Sequence, residues 1–346
     1  LDPQLLPKQI LRKDLYNYLE KELKEIEPLL LDKNEYGRVD KNAANFLLSR
    51  LYLNAEVYTK TPQWEKAAEY AEKVINSHYQ LSPKYLYNFI SDNNTSPEII
   101  WSLNLDGTKS KTYGGTTFFV LAQTGGTMLT YLNMGIAGGW GNIRVRPQFV
   151  NKFQTNDQSF NTSDPNASTK GDSRALFFNV GHKKEIAALP GTFQDGYAFT
   201  KWRNVDKNGK AGTDAAFVDT DFPMFRLSEM YLTAAEAYIR LGNNTTKALN
   251  YTNIIRNRAY NNGNGAINLS DLNLDFVLEE RSRELSWELT RRTDLIRFNK
   301  FTASDYLWSW KGNTQAGKGL DTKFNIFPLP SSDITANPNL KQNDGY

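Results

Sequence analysis

The chain has 346 residues, of which 40% are apolar and 23% charged, so it is no disordered segment and can bury a proper core. Its longest strongly apolar run, Phe118 to Ala122, is too short to span a bilayer. With 41 basic and 38 acidic residues the net charge is +3, which gives no electrostatic case for a nucleic-acid partner. Cysteine is absent, which excludes disulfides, thiolate nucleophiles and cysteine metal sites. Two histidines, His78 and His182, leave most hydrolase templates short of acid–base groups. Aromatic residues make up 13% of the chain, beside loops rich in Asn and Gly. Rings with amide side chains suit flat, polar, uncharged ligands such as sugars, although most rings in a folded chain belong to its core. No signal segment opens the sequence and the first residue is Leu1, so a processed or trimmed chain is expected.

Residues 1–38 carry a lysine-rich helix over roughly Arg12 to Ile26. Asp40 is placed to cap a long helical pattern, in which Ala44, Leu48, Leu51, Ala55 and Tyr58 recur at steps of 4, 3, 4 and 3 on one face. Thr61-Pro62 reads as the start of a second helix, with a capping hydroxyl and a proline in the first turn. Trp64, Ala67, Ala68, Ala71, Val74 and Ile75 form its apolar stripe. Small alanines facing large rings let two helices approach closely, the tetratricopeptide manner of packing an antiparallel pair.

From about Pro83 to Phe222 helical periodicity is poor. Strand-like runs such as Glu98 to Leu103 alternate with Gly-Gly pairs at 114–115, 125–126 and 138–139, and with polar stretches such as Asn161 to Asp172. The expectation is an insert of long, functional loops with small strands and short helices. Helical pattern returns at Arg226 with Leu227, Tyr231, Ala234, Tyr238 and Leu241 on one face, and Gly242 ends it. Ala248, Thr252, Ile255 and Ala259 mark the next helix. This pair echoes the first at an offset of 180 residues: Ala55-Glu56-Val57-Tyr58 matches Ala235-Glu236-Ala237-Tyr238, Ala68 matches Ala248 and Ile75 matches Ile255.

A last helix is expected from about Leu274 to Phe298, with Leu278, Leu285, Leu289 and Ile296 as its stripe. Glu280, Arg281, Arg283, Glu284, Glu288, Arg291, Arg292, Asp294 and Arg297 surround it with charge. Glu284 and Glu288 lie one turn apart. Neighbouring arginines would keep both ionised, so they read as a structural ion network rather than a catalytic acid pair.

The run Leu278 to Glu288, continuing through Arg292, Asp294-Leu295 and Arg297, resembles the signature helix of the SusD/RagB family. So do Phe225 to Leu232 running into Ala234 to Ala237, the block Phe327-Pro328-Leu329-Pro330, and the ending Asn337-Pro338 with Gln342 to Tyr346. The resemblance covers nearly the whole chain. It implies a mainly α fold, with tetratricopeptide-like helix pairs around a long loop-rich insert carrying short strands. As one SusD-like domain over 1–346, it divides into a helix-pair module at 40–82, a ligand-binding insert at 83–222, and a second helix pair with signature helix and tail at 223–346. It further implies a non-catalytic lipoprotein of the Bacteroidetes outer membrane that binds oligosaccharide or polysaccharide and passes it to a TonB-dependent transporter. No cofactor is expected. Members of the family carry a lipidated cysteine and a further helical segment before the position of Leu1, so the membrane anchor is implied and lies outside this chain.

Within the insert, Tyr113-Gly114-Gly115-Thr116-Thr117-Phe118 and Gly138-Gly139-Trp140-Gly141-Asn142-Ile143-Arg144 look like the segments that build the glycan site of starch-binding members. An aromatic ring stacks on the C–H face of a sugar, and Asn or Arg donors take its hydroxyls. Trp140 and Tyr113 are therefore the candidate platforms, with Asn142 and Arg144 as candidate donors. An α-1,4-glucan is the expected ligand on the strength of these two segments alone. Trp308 and Trp310 would point the same way if their segment were extended; they and Trp202 read as packing residues. Asp219-Thr220-Asp221 and Asn156-Asp157 offer oxygen ligands without calcium-loop spacing, so no metal is expected. The alternative reading is a helical-repeat module binding a peptide or protein partner, as bare tetratricopeptide pairs do; a glycoside hydrolase is the enzyme reading.

Overall fold

The computed structural model describes residues 6–153, 171–189, 191–260 and 264–346. In chain order the helices and strands are α1 (Arg12–Ile26), α2 (Lys41–Leu53), α3 (Ala55–Thr59), α4 (Trp64–Ile75), β1 (Ile99–Leu103), α5 (Gly115–Gln123), α6 (Met128–Tyr131) and α7 (Pro147–Val150). They continue with β2 (Phe177–Phe178), β3 (Ala198–Phe199), β4 (Phe222–Arg226), α8 (Leu227–Leu241), α9 (Thr245–Ala259), α10 (Leu274–Glu284), α11 (Arg291–Arg297) and α12 (Ser331–Ala336). Helices dominate, and the strands are short antiparallel pairs, β1 with β4 and β2 with β3. Among the described residues no helix is long and apolar enough to cross a membrane.

The helix pairs form for local reasons. Asp40 accepts a hydrogen bond from the Ala43 amide at 3.0 Å and starts α2. Gly242, at φ 67°, ends α8 in the left-handed conformation that lacks a Cβ penalty. Helix α4 packs against α2 and α8, and α9 against α8, so the two pairs stack through α4 on α8. Ala67, Ala71, Ala234 and Ala237 are fully buried in this core, and their small size permits the close approach. Phe46 stacks on Phe225 with ring centroids 4.6 Å apart, joining the helices to β4. A second core gathers around Trp202, which is fully buried and stacked on Phe222 at 5.3 Å and Phe119 at 5.6 Å, a packing role as expected.

Several local expectations give way to tertiary contacts. The first helical face is interrupted at Asn54, whose Nδ2 donates to the Arg50 carbonyl at 2.9 Å while its Oδ1 accepts from Arg297 at 3.0 Å. Thr61-Pro62 does not open α4. That helix begins at Trp64 with Gln63 at the cap position, while the Thr61 amide donates back to Thr59 Oγ1 at 3.2 Å and closes the preceding turn.

The expected single helix over 274–298 is two, α10 and α11, separated by left-handed residues at Trp287 (φ 58°) and Leu289 (φ 64°). The break drives the Trp287 ring against Phe199 at 5.2 Å and leaves Leu289 75% exposed, outside the stripe it was expected to join. It also lets Glu288 reach Arg226 at 2.8 Å and Lys201 at 2.6 Å. Trp310, at φ 69°, is not extended, so the Trp308–Trp310 pair is not a flat ladder. The Trp310 indole donates to the Ile186 carbonyl at 2.9 Å, and both rings are half-buried. Asn156, Asp157 and the polar stretch 161–170 lie outside the described residues.

The charged residues of the signature region form a buried network. Glu284 accepts from Arg226 at 3.0 Å, from Arg174 at 3.1 Å and from Arg258. Glu280 binds Arg174 at 2.7 Å, Arg256 at 2.9 Å and Arg283 at 2.6 Å. Burial alone would raise these carboxyls, yet the surrounding guanidiniums outweigh it and hold Glu280 down at about 2 and Glu284 well below the usual carboxylate range. Neither is a proton donor at neutral pH.

Candidate functional site

The loop that carries Trp140 is fixed by the end of a helix. An α-helix leaves its last carbonyls without intrahelical partners. Helix α5 satisfies its own with the following loop: the amides of Trp140, Asn142 and Ile143 donate to the carbonyls of Leu121 at 2.7 Å, Ala122 at 2.8 Å and Ala122 at 3.0 Å, and Gly141 donates to Thr124 at 2.8 Å. This contact needs glycine. A Cβ on Gly139 would lie 2.2 Å from the Thr124 carbonyl oxygen, and Gly141 sits at φ 59° against the Phe193 ring. The backbone is therefore seated tightly on α5, and the Trp140 side chain stands outward, 41% exposed.

Tyr113 reaches the same place from the start of α5. Its ring is 58% exposed and lies 5.9 Å from Trp140, tilted at 52°. Two further rings complete the cluster. Phe118, 40% exposed, meets Trp140 edge-on at 5.9 Å, and Phe217 lies 5.0 Å from Tyr113. Phe217 is presented by a turn in which Asp214 accepts from the amides of Ala216 at 2.7 Å and Phe217 at 3.0 Å. Those bonds hold the Asp214 carboxyl below its ordinary range. The turn is tied to α5 by the Val218 amide donating to Thr117 Oγ1 at 3.2 Å and by Thr116 donating to the Thr220 carbonyl.

Of the four residues singled out from the sequence, the structure brings Tyr113 and Trp140 into one exposed patch. Asn142 is also exposed, with its side-chain amide unengaged among the described residues. Arg144 is half-buried and braces the loop, donating from Nε to the Asp195 carbonyl at 3.0 Å and from Nη1 to the Asn142 carbonyl at 3.2 Å. Phe118, quoted within its segment but not singled out, and Phe217 were missing from the candidate residues. Phe118 had a signal: it precedes Phe119 on a helix, and neighbours 100° apart cannot both face the core. Phe217 had none, because only the Asp214 turn and its threonine ties bring it to Tyr113.

A ring pair of this kind contributes about 0.5–1.5 kcal/mol beyond its buried area, and the outer faces of the rings remain exposed. Exposed rings clustered in this way are the surface on which an apolar ligand face settles. The oxygen ligands of Asp219 and Asp221 are already occupied by protein donors: Asp219 by Gly107 at 2.7 Å and Thr213 at 2.6 Å, Asp221 by Tyr36 at 2.6 Å and Leu105 at 2.7 Å. Among the described residues no cluster of three His, Asp or Glu side chains could hold a metal ion.

The sequence model of the SusD family matches residues 168–346. Over 96% of its length the chain is 38% identical to the starch-binding protein SusD of Bacteroides thetaiotaomicron, covering 65% of that protein. It is 29% identical to the SusD-like protein P38 of Formosa agariphila over 58% of this chain and 39% of that protein. The chain thus spans about two thirds or less of the curated relatives it matches. Among solved structures, a putative sugar binding protein from Bacteroides vulgatus superposes with a TM-score of 0.64 at 26% identity, over 96% of this chain and 65% of that one. Surface glycan-binding protein A of Bacteroides thetaiotaomicron, in complex with laminarihexaose, superposes with a TM-score of 0.70 over 95% of this chain and 70% of that one; at 23% identity this likeness speaks to the fold alone. Sequence match and stacked helix pairs agree that the chain belongs to the SusD family.

Proposed function

We propose that this chain is part of a non-catalytic, cell-surface protein that binds oligosaccharide or polysaccharide and hands it to a TonB-dependent outer-membrane transporter. The observation that carries the reading is an exposed ring cluster: Trp140 on a loop whose backbone is pinned to α5, Tyr113 just before that helix and Phe118 on it. Trp140 and Tyr113 supply stacking faces, Asn142 a free amide for ligand hydroxyls, and Arg144 holds the loop that presents them. The two rings are tilted by 52° rather than coplanar, which suits a curved chain such as an α-1,4-glucan. Membership of a family whose relatives include a starch-binding protein supports the same reading. A lipid anchor on a cysteine outside this chain would hold it at the outer membrane. The carboxylates best placed to be mistaken for catalysts, Glu284 and Glu288, are tied to guanidinium and ammonium groups.

Affinity electrophoresis tests this directly. Gels containing amylopectin should retard the parent protein and not Trp140→Ala. Equal mobility of the parent in gels with and without every glycan tried would overturn the glycan reading in favour of a protein or peptide partner. Reducing-sugar release that tracks a single carboxylate variant would overturn the non-catalytic one.

A further inference from the structure

A cavity of about 590 Å³ lies between α7, the α10–α11 junction and the segment 301–308, within the size range of small-molecule sites. Its walls are cationic out of proportion to the rest of the protein. Arg144, Arg146, Lys152, Arg281, Arg291 and Arg292 line it, against one carboxylate, Glu279. Lys152 and Arg291 share Glu279, and Arg281 is held by Asp294 at 3.0 Å. Arg144, Arg146 and Arg292 have no carboxylate in ion-pair contact among the described residues. Their bonds go to backbone carbonyls instead: Arg144 to Asp195 and Asn142, Arg146 to Ser309, Arg292 to Phe324 at 2.8 Å. Each keeps N–H groups without a partner among the described residues. Burial pulls the Arg144 and Arg146 guanidiniums down from their ordinary range; the charge of Asp195 offsets this in part at Arg144, and nothing offsets it at Arg146. Arginine stays charged in proteins, so these are half-desolvated cations whose cost an anion would relieve. Phe149, Trp287 and Trp308 supply flat apolar walls beside them.

We propose that this cavity is a second ligand site, distinct from the Trp140 face, and that it takes a carboxylate-bearing sugar of the uronate type. The guanidinium forks meet the carboxylate and the aromatic walls meet the ring. The anionic half of this assignment rests on the cavity alone; the sugar half rests on the glycan reading above.

The test is calorimetric titration with digalacturonate at about 50 and 500 mM salt, beside gel retardation by neutral amylopectin. Digalacturonate binding should weaken about tenfold at high salt and about tenfold in both Arg146→Gln and Arg292→Gln, while neutral-glycan retardation is unchanged in both. Arg292 is partly exposed, so its variant keeps the test open should Arg146→Gln fail to fold. Absence of digalacturonate binding, or equal binding by the parent and both variants, overturns the proposal. Competition by inorganic phosphate as effective as digalacturonate overturns the sugar assignment. Arginine-dependent digalacturonate binding in a protein that no neutral glycan retards would sink the Trp140 reading and leave the cavity standing.

Discussion

The signature region and the loop face invert the usual partition of side chains. Around α10, Glu98, Arg174, Arg226, Glu280 and Glu284 are charged and at most 2% exposed. On the loop face, Trp140, Tyr113 and Phe118 are aromatic and at least 40% exposed. Charged residues are rarely buried without partners, and large rings are rarely left in water as a cluster. Each inversion is sustained by hydrogen bonding. The buried acids each face several guanidiniums, and among the exposed rings Trp140 stands on a backbone that completes the end of the helix carrying Phe118. The contrast teaches that the network holds elements of the fold to one another, while the ring cluster leaves its apolar faces to solvent.

The comparison can be broken from its buried side first. Glu284→Ala should lower stability by about 3–5 kcal/mol in denaturant unfolding, because it leaves Arg174, Arg226 and Arg258 buried with a partner missing. Glycan retardation of the protein that remains folded should be unchanged; a stable variant that no longer binds would show that the site lies in the network.

Acid should act on the same region. Glu280 and Asp294 have carboxyls held down at about 2 by their arginines. A depressed acid contributes stability that is complete above its unfolded value and lost as pH falls toward the folded one. Melting temperature should therefore hold above about pH 5 and drop steadily toward pH 2. A flat profile across that window would mean the network is not ionised as described.

Gly139→Ala sharpens the comparison from the other side. The new methyl would collide with the Thr124 carbonyl, so the loop must lift from α5. A loss of about 1–3 kcal/mol together with weakened glycan retardation is expected, and a melt equal to the parent would show that the pinned backbone is not what presents Trp140. The smallest stability effect belongs to Tyr113→Ala. Its ring is 58% exposed but pairs with Trp140 and Phe217, so unfolding stability should fall by about 0.5–1 kcal/mol, while retardation falls only partway because Trp140 remains. A large destabilisation would return Tyr113 to the core.

Much of this was legible in the sequence wherever the cause is local. Helical periodicity, the Asp40 cap and the Gly242 stop involve residues within a few positions of one another, so the stacked helix pairs could be read directly. Trp140 could be singled out because its segment resembles those that build the glycan site in starch-binding family members and because the glycines beside it cannot pack around its ring. The partners that Glu280 and Glu284 would find were legible as a type, since arginines crowd the same stretch.

Tertiary structure alone decided the rest. Trp287 and Leu289 look like continuing helix by propensity, yet the ring of Trp287 belongs against Phe199 and the carboxylate of Glu288 belongs on Arg226, and one unbroken helix cannot deliver both. Phe217 joins Tyr113 only through a turn and threonine contacts distant in sequence. The cationic cavity exists only once α7, α10 and the segment 301–308 converge. Local sequence sets which conformations are cheap; the contacts among remote residues, each worth as much as a turn of helix propensity, choose among them.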